Sequence, residues 1–395
     1  MMRFLFFFSL FMLFYVYLGY PMLISLIGLI RNKKVHKAPI QPFVTILIAA
    51  HNEERDIEKT IKNKLELDYP KDKLEIFVIS DGSTDKTDEI VRKYEGQGVR
   101  LIRQEPRAGK TSALNMAVPQ ARGEILAFSD ANSLWDIGAL RKLTQNFNDP
   151  SVGYVTGKMI YTNPDGSMVG DGCTAYMRYE NRLRDFETKI GSIVGVDGGI
   201  DAIRKNLYQP MNPDQLPDFV MPLKVVQQGS RVVYEPEAVL KEASLKDSKD
   251  EYRMRVRVSL RALWALWDMR HLLVSSPDAC NDSPSNLRLF LASVLYPWQL
   301  WSHKVLRYNA FVFLIAVYLA NLALWSAGGF YKGMFVVQNV AYLLASFNPL
   351  LVRFRGALGR LYFLNYFLLL NLAVAHASIK FLMGRKQTMW TPRKG

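Results

Sequence analysis

Cysteine is nearly absent: Cys173 and Cys280 are the only two in 395 residues. That excludes a disulfide framework and a cysteine-built metal site, and it suits a reducing compartment. Charge is missing from whole stretches. Residues 4–30, 308–326, 334–352 and 361–379 contain no Asp, Glu, Lys or Arg. A membrane-spanning helix needs roughly 20 apolar residues, so each stretch is long enough to cross a bilayer. A phosphate-cradling P-loop is lacking as well. Gly109-Lys110-Thr111 ends like one, but Gln104 stands where its first glycine belongs. No calcium loop opens at Asp81, because Lys86 occupies the place of the turn glycine.

What is present is mixed. The chain is 49% hydrophobic and 22% charged, with a mean hydropathy of 0.00. These are averages over unlike parts, since about 250 polar and mixed residues separate the first two apolar stretches, enough for a domain with its own core. A wholly soluble enzyme, a disordered chain and a small stapled scaffold are excluded. Lys and Arg number 50 against 36 Asp and Glu, a net charge of +14. The excess gathers beside apolar segments, where basic side chains meet anionic membrane lipids at about 1 kcal/mol each. No basic stripe interleaved with aromatics runs through the polar domain, so no nucleic-acid partner is expected.

Arg31, Lys33, Lys34 and Lys37 follow the first apolar run directly, which places the next domain in the cytoplasm. The run is too long for a cleaved signal peptide. It also exceeds the bilayer core, so Gly19 and Pro21 are expected to kink or tilt it. Segment 287–307, with Trp298 and Trp301 beside His303, Lys304 and Arg307, reads as an amphipathic interfacial helix. The expected division is an anchor at 1–37, a cytoplasmic domain at 38–270, a linker and interfacial helix at 271–307, and multi-pass helices with a basic tail at 308–395. One parity stays open. Arg353, Arg355 and Arg360 look cytoplasmic, and so do Arg385, Lys386, Arg393 and Lys394. A single span between them cannot leave both flanks inside; either 287–307 crosses too or the last segment re-enters.

Within the domain, apolar runs FVTILIA (43–49), LEIFVIS (74–80), VRLIRQ (99–104) and EILAFS (124–129) alternate with amphipathic stretches. Such alternation with short links predicts an α/β, doubly wound parallel sheet. Ligands bind such sheets beyond the carboxyl ends of the strands. Those ends carry Asn52-Glu53-Glu54, Asp81-Gly82-Ser83-Thr84-Asp85 and Asp130-Ala131-Asn132. Any one of these is ordinary turn or cap chemistry. Three on one rim point to a site.

VTILIAAHNEE, VISDGSTDKT, RAGKTSALN, FSDANSLWD and PDFVMPLKVVQQGSRVVYEPEA, in that order, resemble the motifs of membrane-bound family 2 glycosyltransferases. The likeness extends over roughly 44–260 and includes the SHKVLR segment. It implies a Rossmann-like GT-A domain with a parallel-rich sheet. It further implies inverting transfer from a UDP- or GDP-sugar to a lipid-linked or growing polysaccharide acceptor, with Mg²⁺ or Mn²⁺ as cofactor.

By that resemblance Glu53 and Asp81 contact the nucleoside, with Asn52 beside them, and Lys110 and Asn115 lie near the donor. Asp130 and Asn132 stand at an Asp-x-Asp metal signature whose second acid is here an amide, with Asp136 as a further oxygen. Asp218 matches the general base, although an Asp between Pro217 and a helix also reads as an N-cap. Glu53 has a bland reading as a first-turn acid, and Lys110 as a solvated lysine at a helix start. Asp197-Gly198-Gly199 resembles a loop on the acceptor side. Where processive synthases carry Gln-x-x-Arg-Trp, this chain has Met254-Arg255-Val256-Arg257-Val258 and keeps only Arg257. That departure disfavours long-chain synthesis. Arg253, Arg255, Arg257 and Arg261 read as contacts to diphosphate or lipid headgroups. The alternatives are a processive, exporting polysaccharide synthase and a non-catalytic nucleotide-binding membrane scaffold.

Overall fold

Val44–Ala50 is a run of β-branched and small apolar residues, and as strand β1 it is buried along its whole length. In a computed structural model of the chain, residues 1–162, 168–243, 247–275, 286–346 and 362–389 are described. Cys280, Arg353, Arg355, Arg360, Arg393 and Lys394 lie outside the described residues. β1 pairs in parallel with β2 (Leu74–Asp81) and β4 (Ile125–Asp130), and β2 with β3 (Val99–Gln104). Helices α3 (Ile57–Leu65), α4 (Thr87–Arg92) and α5 (Lys110–Ala117) form the crossovers, after α1 (Met2–Phe14) and α2 (Tyr20–Arg31) at the N-terminus. The register sets Ala49 opposite Asp130 and Ala50 opposite Ser80, so three strand ends are level on one rim.

The second half is mixed, within a sheet that stays rich in parallel pairs. β5 (Leu134–Trp135), α6 (Ala139–Thr144), β6 (Val152–Thr162), α7 (Met168–Ile190), β7 (Asp201–Arg204), α8 (Pro217–Gln227) and β8 (Arg231–Ala243) follow in sequence. β7 runs antiparallel to both β4 and β6, while β6 and β8 are parallel. The sheet order is β3-β2-β1-β4-β7-β6-β8-β5. Side chains alternate across it. Leu47, Phe77 and Phe128 face one apolar cluster with α5 and α8, and Ile46, Ile48 and Val78 face the other with α3 and α6.

Among the described residues, two helices are long and apolar enough to cross a membrane, Met2–Arg31 and Phe363–Leu382. The first is interrupted by a π-helical turn at Tyr15–Gly19. Pro21 has no N–H to give the Tyr17 carbonyl, which instead accepts from the Tyr179 hydroxyl at 3.4 Å. Beyond that turn, α2 packs on α7 through Tyr20, Ile24, Leu183 and Ile190. The second half of the apolar run is thereby packed against the α/β domain.

The remaining helices are α9 (Ser248–Asp268), α10 (Asn286–Leu300), α11 (Leu306–Tyr308), α12 (Ala310–Ala323), α13 (Gly329–Ser346) and α14 (Tyr362–Leu382). Ser293–Tyr308 and Ala310–Ala323 meet at 57°, the bend of a broken span or a re-entrant loop. α14 lies along α9, with Ala373 and Ala377 against Val256 and Leu260. Past its end, the Trp264 indole donates to the Arg385 carbonyl at 2.8 Å and Lys386 pairs with Asp214 at 2.5 Å. The chain after the last apolar segment therefore returns to the α/β domain and α9.

Candidate active site

The first rim loop is tied down by its own polar residues. Asn52 adopts φ +54, an Asn-tolerant left-handed conformation. Its side-chain oxygen accepts from the Thr84 N–H at 2.8 Å. Asn52 thus joins the loops after β1 and β2 and does not line the cavity beside them. Asp81 is fully buried. Its Oδ1 accepts from Ala108 N–H at 2.8 Å and Gly109 N–H at 3.1 Å, with Gln104 and Arg107 alongside. The carboxylate shapes the loop that leads into α5. The ideal Cβ position of Gly109 lies 2.9 Å from the Thr388 carbonyl oxygen, so the C-terminal tail rests on that same loop.

Lys110, the first residue of α5, is no solvated lysine. Its Nζ lies 2.7 Å from Asp130 Oδ1 and 3.4 Å from Asp218 Oδ1, with the side chain 15% exposed. Burial lowers its pKa, but the two carboxylates outweigh that and hold it above the usual lysine range. Asn115 is a correction to the sequence reading. Its amide donates to the Met211 carbonyl at 2.7 Å and accepts from Tyr208 Oη at 2.8 Å and Met211 N–H at 3.1 Å, away from the cavity.

The Asp130–Asn132 turn is held from below by α3. Thr60 Oγ1 donates to the Ala131 carbonyl and Lys64 Nζ to the Ser133 carbonyl, each at 2.6 Å. Asn132 Nδ2 reaches Glu242 Oε1 at 3.5 Å. Asp136 instead pairs with Lys241 at 2.9 Å and is absent from the cavity lining. Glu53 does line the cavity. Burial raises its carboxyl to about 7, with Asp56, Asp130 and Asp85 adding to the effect.

Asp218 is the second residue of α8, whose N-cap position is Leu216. It therefore does not cap the helix, and its carboxylate faces Lys110 across the cavity. Burial pushes the Asp218 carboxyl up and Lys110 draws it back. The approach to α8 is fixed by the Thr111 hydroxyl, which donates to the Gln215 carbonyl at 2.8 Å, and by Arg261, which donates to the same carbonyl. Arg257 and Arg261 line the same cavity from α9. Burial lowers both guanidinium pKa values, that of Arg261 to about 10, and the nearby carboxylates only partly oppose it. Arg255 also lines the cavity but is held by Glu251 at 2.7 Å and the Tyr366 hydroxyl at 2.8 Å, and Arg253 is exposed.

Gly198, in the loop that resembles an acceptor-side one, leaves room for Asp218. It sits at φ +86, and its ideal Cβ position falls 2.3 Å from the Asp218 carboxyl carbon. Gly198→Ala is expected to displace that carboxylate and to strain a left-handed backbone by about 1–2 kcal/mol. Transfer should fall while nucleotide affinity holds, measured by product formation and calorimetry on one preparation. Unchanged transfer would mean the carboxylate position is unimportant.

Sequence reasoning missed two buried groups beneath the site. Arg184, in the middle of α7, pairs with Asp197 at 2.5 Å. Asp201, in β7, is 1% exposed. Burial, with Asp218 and Asp197 nearby, pushes its carboxyl up to about 7. In the unfolded chain it would titrate near about 4. The folded state thus holds the proton more tightly, so stability is greatest at low pH and declines as pH rises through about 7. Asp201→Asn is expected to flatten that decline in thermal melts taken from pH 5 to 8. An identical pH dependence in the variant would remove Asp201 as its source.

The sheet gathers carboxylates and buried cations at the ends of its strands. Residues 45–206 match the model for Glycosyl transferase family 2. The probable glycosyltransferase YdaM of Bacillus subtilis is 30% identical over 232 residues, 55% of this chain and 54% of that protein. A beta-monoglucosyldiacylglycerol synthase of Nostoc is 33% identical over 168 residues, 42% of this chain and 36% of that protein. A poly-beta-1,6-N-acetyl-D-glucosamine synthase of Staphylococcus aureus is 29% identical over 202 residues, 50% and 48% respectively. The chain spans about half the length of the curated relatives it matches, or less. In fold it is similar to the mannosyltransferase PcManGT of Pyrobaculum calidifontis, solved in complex with GDP-Man and Mn²⁺. The TM-score is 0.70 at 23% identity, covering 94% of this chain and 97% of that one. The chain carries a family 2 glycosyltransferase domain of GT-A fold.

Proposed function

We propose that the protein transfers a sugar from a UDP- or GDP-sugar, with inversion, to a lipid-linked or cell-surface glycan acceptor at the cytoplasmic membrane face. The observation that carries this is the meeting of Asp130 and Asp218, remote in sequence, on the one ammonium of Lys110 inside a single cavity. Asp218 takes the proton of the acceptor hydroxyl as its oxygen attacks the anomeric carbon. Arg257 and Arg261 offset charge on the departing diphosphate. Glu53 stands on the donor side, and Asn52 and Asp81 shape the wall against which the nucleoside lies.

The rim also fits a divalent cation. Asp130 and Asn132 present hard oxygens two residues apart at a strand end, lining the same cavity. Mg²⁺ commonly takes one or two carboxylates plus substrate phosphates. When bound, Mg²⁺ or Mn²⁺ would supply positive charge to the diphosphate. Among the described residues no group of three His, Cys, Asp or Glu side chains forms a complete site, so the donor's phosphates are needed to finish it.

The basic run after residue 30 supports a cytoplasmic domain, where nucleotide-sugars are found. Met254 and Val258 in place of the processive Gln and Trp favour limited addition over long-chain synthesis. A panel of UDP- and GDP-sugars with membrane acceptors tests the reading. Donor binding without any transfer would support the scaffold alternative.

A further inference from the structure

The cavity, about 620 Å³, does not end at the carboxylates. Its lining also includes Tyr17 from the N-terminal helix together with Phe363, Phe367 and Leu370 from α14. The Tyr17 and Phe367 rings meet edge to face with centroids 5.2 Å apart, one from each apolar segment. Cations line it as well. Arg184 is paired with Asp197, Arg307 with Glu180 and Arg255 with Glu251. Lys304 lines the same cavity; among the described residues no carboxylate lies within ion-pair distance of its Nζ, although Glu180 and Glu187 act on it from further off. Its Nζ lies 5.8 Å over the ring of Phe219, the residue after Asp218.

The two features demand different things of an acceptor. A water-soluble glycan has no complement for an aromatic wall built from membrane helices. A neutral lipid has none for a half-buried ammonium that lacks a close ion pair and lies over Phe219, next in sequence to the base. An anionic amphiphile satisfies both.

We propose that the acceptor is an anionic lipid with a hydroxylated head group. It enters sideways from the membrane between Tyr17 and Phe367, lodges its negative charge at Lys304 and presents its hydroxyl to Asp218. This rests on the glycosyl-transfer reading above. The head-group oxygen forms the new bond to the anomeric carbon and its proton passes to Asp218. The bond from that carbon to the nucleoside diphosphate breaks, and the electron pair leaves with the diphosphate. The head group's charge can come from a glycerophospholipid or from a glycosylated prenyl phosphate.

The test uses the full chain in vesicles. Their lipid is phosphatidylglycerol, a glycosylated prenyl phosphate or neutral monoglycosyldiacylglycerol, and soluble oligosaccharide is a fourth arm. Donor affinity is measured on the same preparation. Label should enter one of the two anionic lipids, and which one identifies the source. Lys304→Met should raise the acceptor KM about tenfold or more, as for loss of a charge-assisted contact, with donor affinity unchanged. A Tyr17→Cys/Phe367→Cys variant, oxidised to a cross-link, should lose transfer to vesicle lipid and regain it on reduction while donor binding persists. The unsubstituted chain, with Cys173 and Cys280, receives the same oxidant as control. Equal transfer to the neutral lipid or the soluble glycan, or full activity with the cross-link closed, overturns the proposal. Absence of donor binding overturns the glycosyltransferase reading itself, and this proposal with it.

Discussion

Asp218→Asn is expected to leave nucleotide-sugar affinity near that of the unsubstituted chain and to lower transfer by about 10²–10⁴, the usual contribution of general base catalysis. The change keeps size and shape, so the neighbouring Gly198 backbone and the start of α8 should be undisturbed. It removes only the ability to accept a proton. A capping role predicts something else, because Asn caps a helix about as well as Asp. The geometry already argues against that role: Leu216 holds the cap position, and the Asp218 carboxylate lies 3.4 Å from Lys110 Nζ. Burial supplies a raised proton affinity, as a base working near neutrality needs, and Lys110 limits the rise. Near-normal transfer by the variant, with donor affinity retained, would remove Asp218 from the mechanism.

How much of this was legible beforehand depends on the kind of signal. The first four strands were readable because parallel strands buried on both faces show as continuous β-branched runs. VRLIRQ coincides with β3 from Val99 to Gln104. β7 was not readable. It has four residues, Asp201 stands at its start, and its antiparallel pairing depends on partners from β4 and β6 that no local pattern announces. The same limit governs the site. Asn52 and Asn115 sit inside motifs, yet an asparagine looks alike in sequence whether its amide meets a ligand or the backbone. Here both amides are engaged by their own chain. Arg257 and Arg261 share a helical face by their spacing of four, a signal that could have separated them from Arg255. Arg184 and the contact of the tail with Gly109 carried no such signal.

Asp130→Asn is the other large effect, and it tests the cation. The expected result is a loss of at least about 10²–10³-fold in transfer, the scale seen when one group stabilising a developing charge is removed. Activity alone would not separate a lost metal ligand from a disturbed Lys110, because Lys110 Nζ bonds Asp130 at 2.7 Å. Metal binding does separate them. Titration with Mn²⁺ in the presence of nucleotide should show binding to the unsubstituted chain and little to the variant. In the absence of nucleotide both should bind weakly, since the protein contributes one carboxylate and one amide oxygen. Asn132→Asp adds a second carboxylate two residues on and should tighten Mn²⁺ or Mg²⁺ binding without loss of transfer. Lys110→Met is the control for the ion pair: it releases Asp130 and Asp218 from the ammonium yet leaves both oxygen donors in place, so nucleotide-dependent Mn²⁺ binding should persist. Full transfer in EDTA, or Mn²⁺ binding by the Asp130 variant equal to that of the unsubstituted chain, would take the cation away from this rim and leave Lys110 as the charge that Asp130 serves.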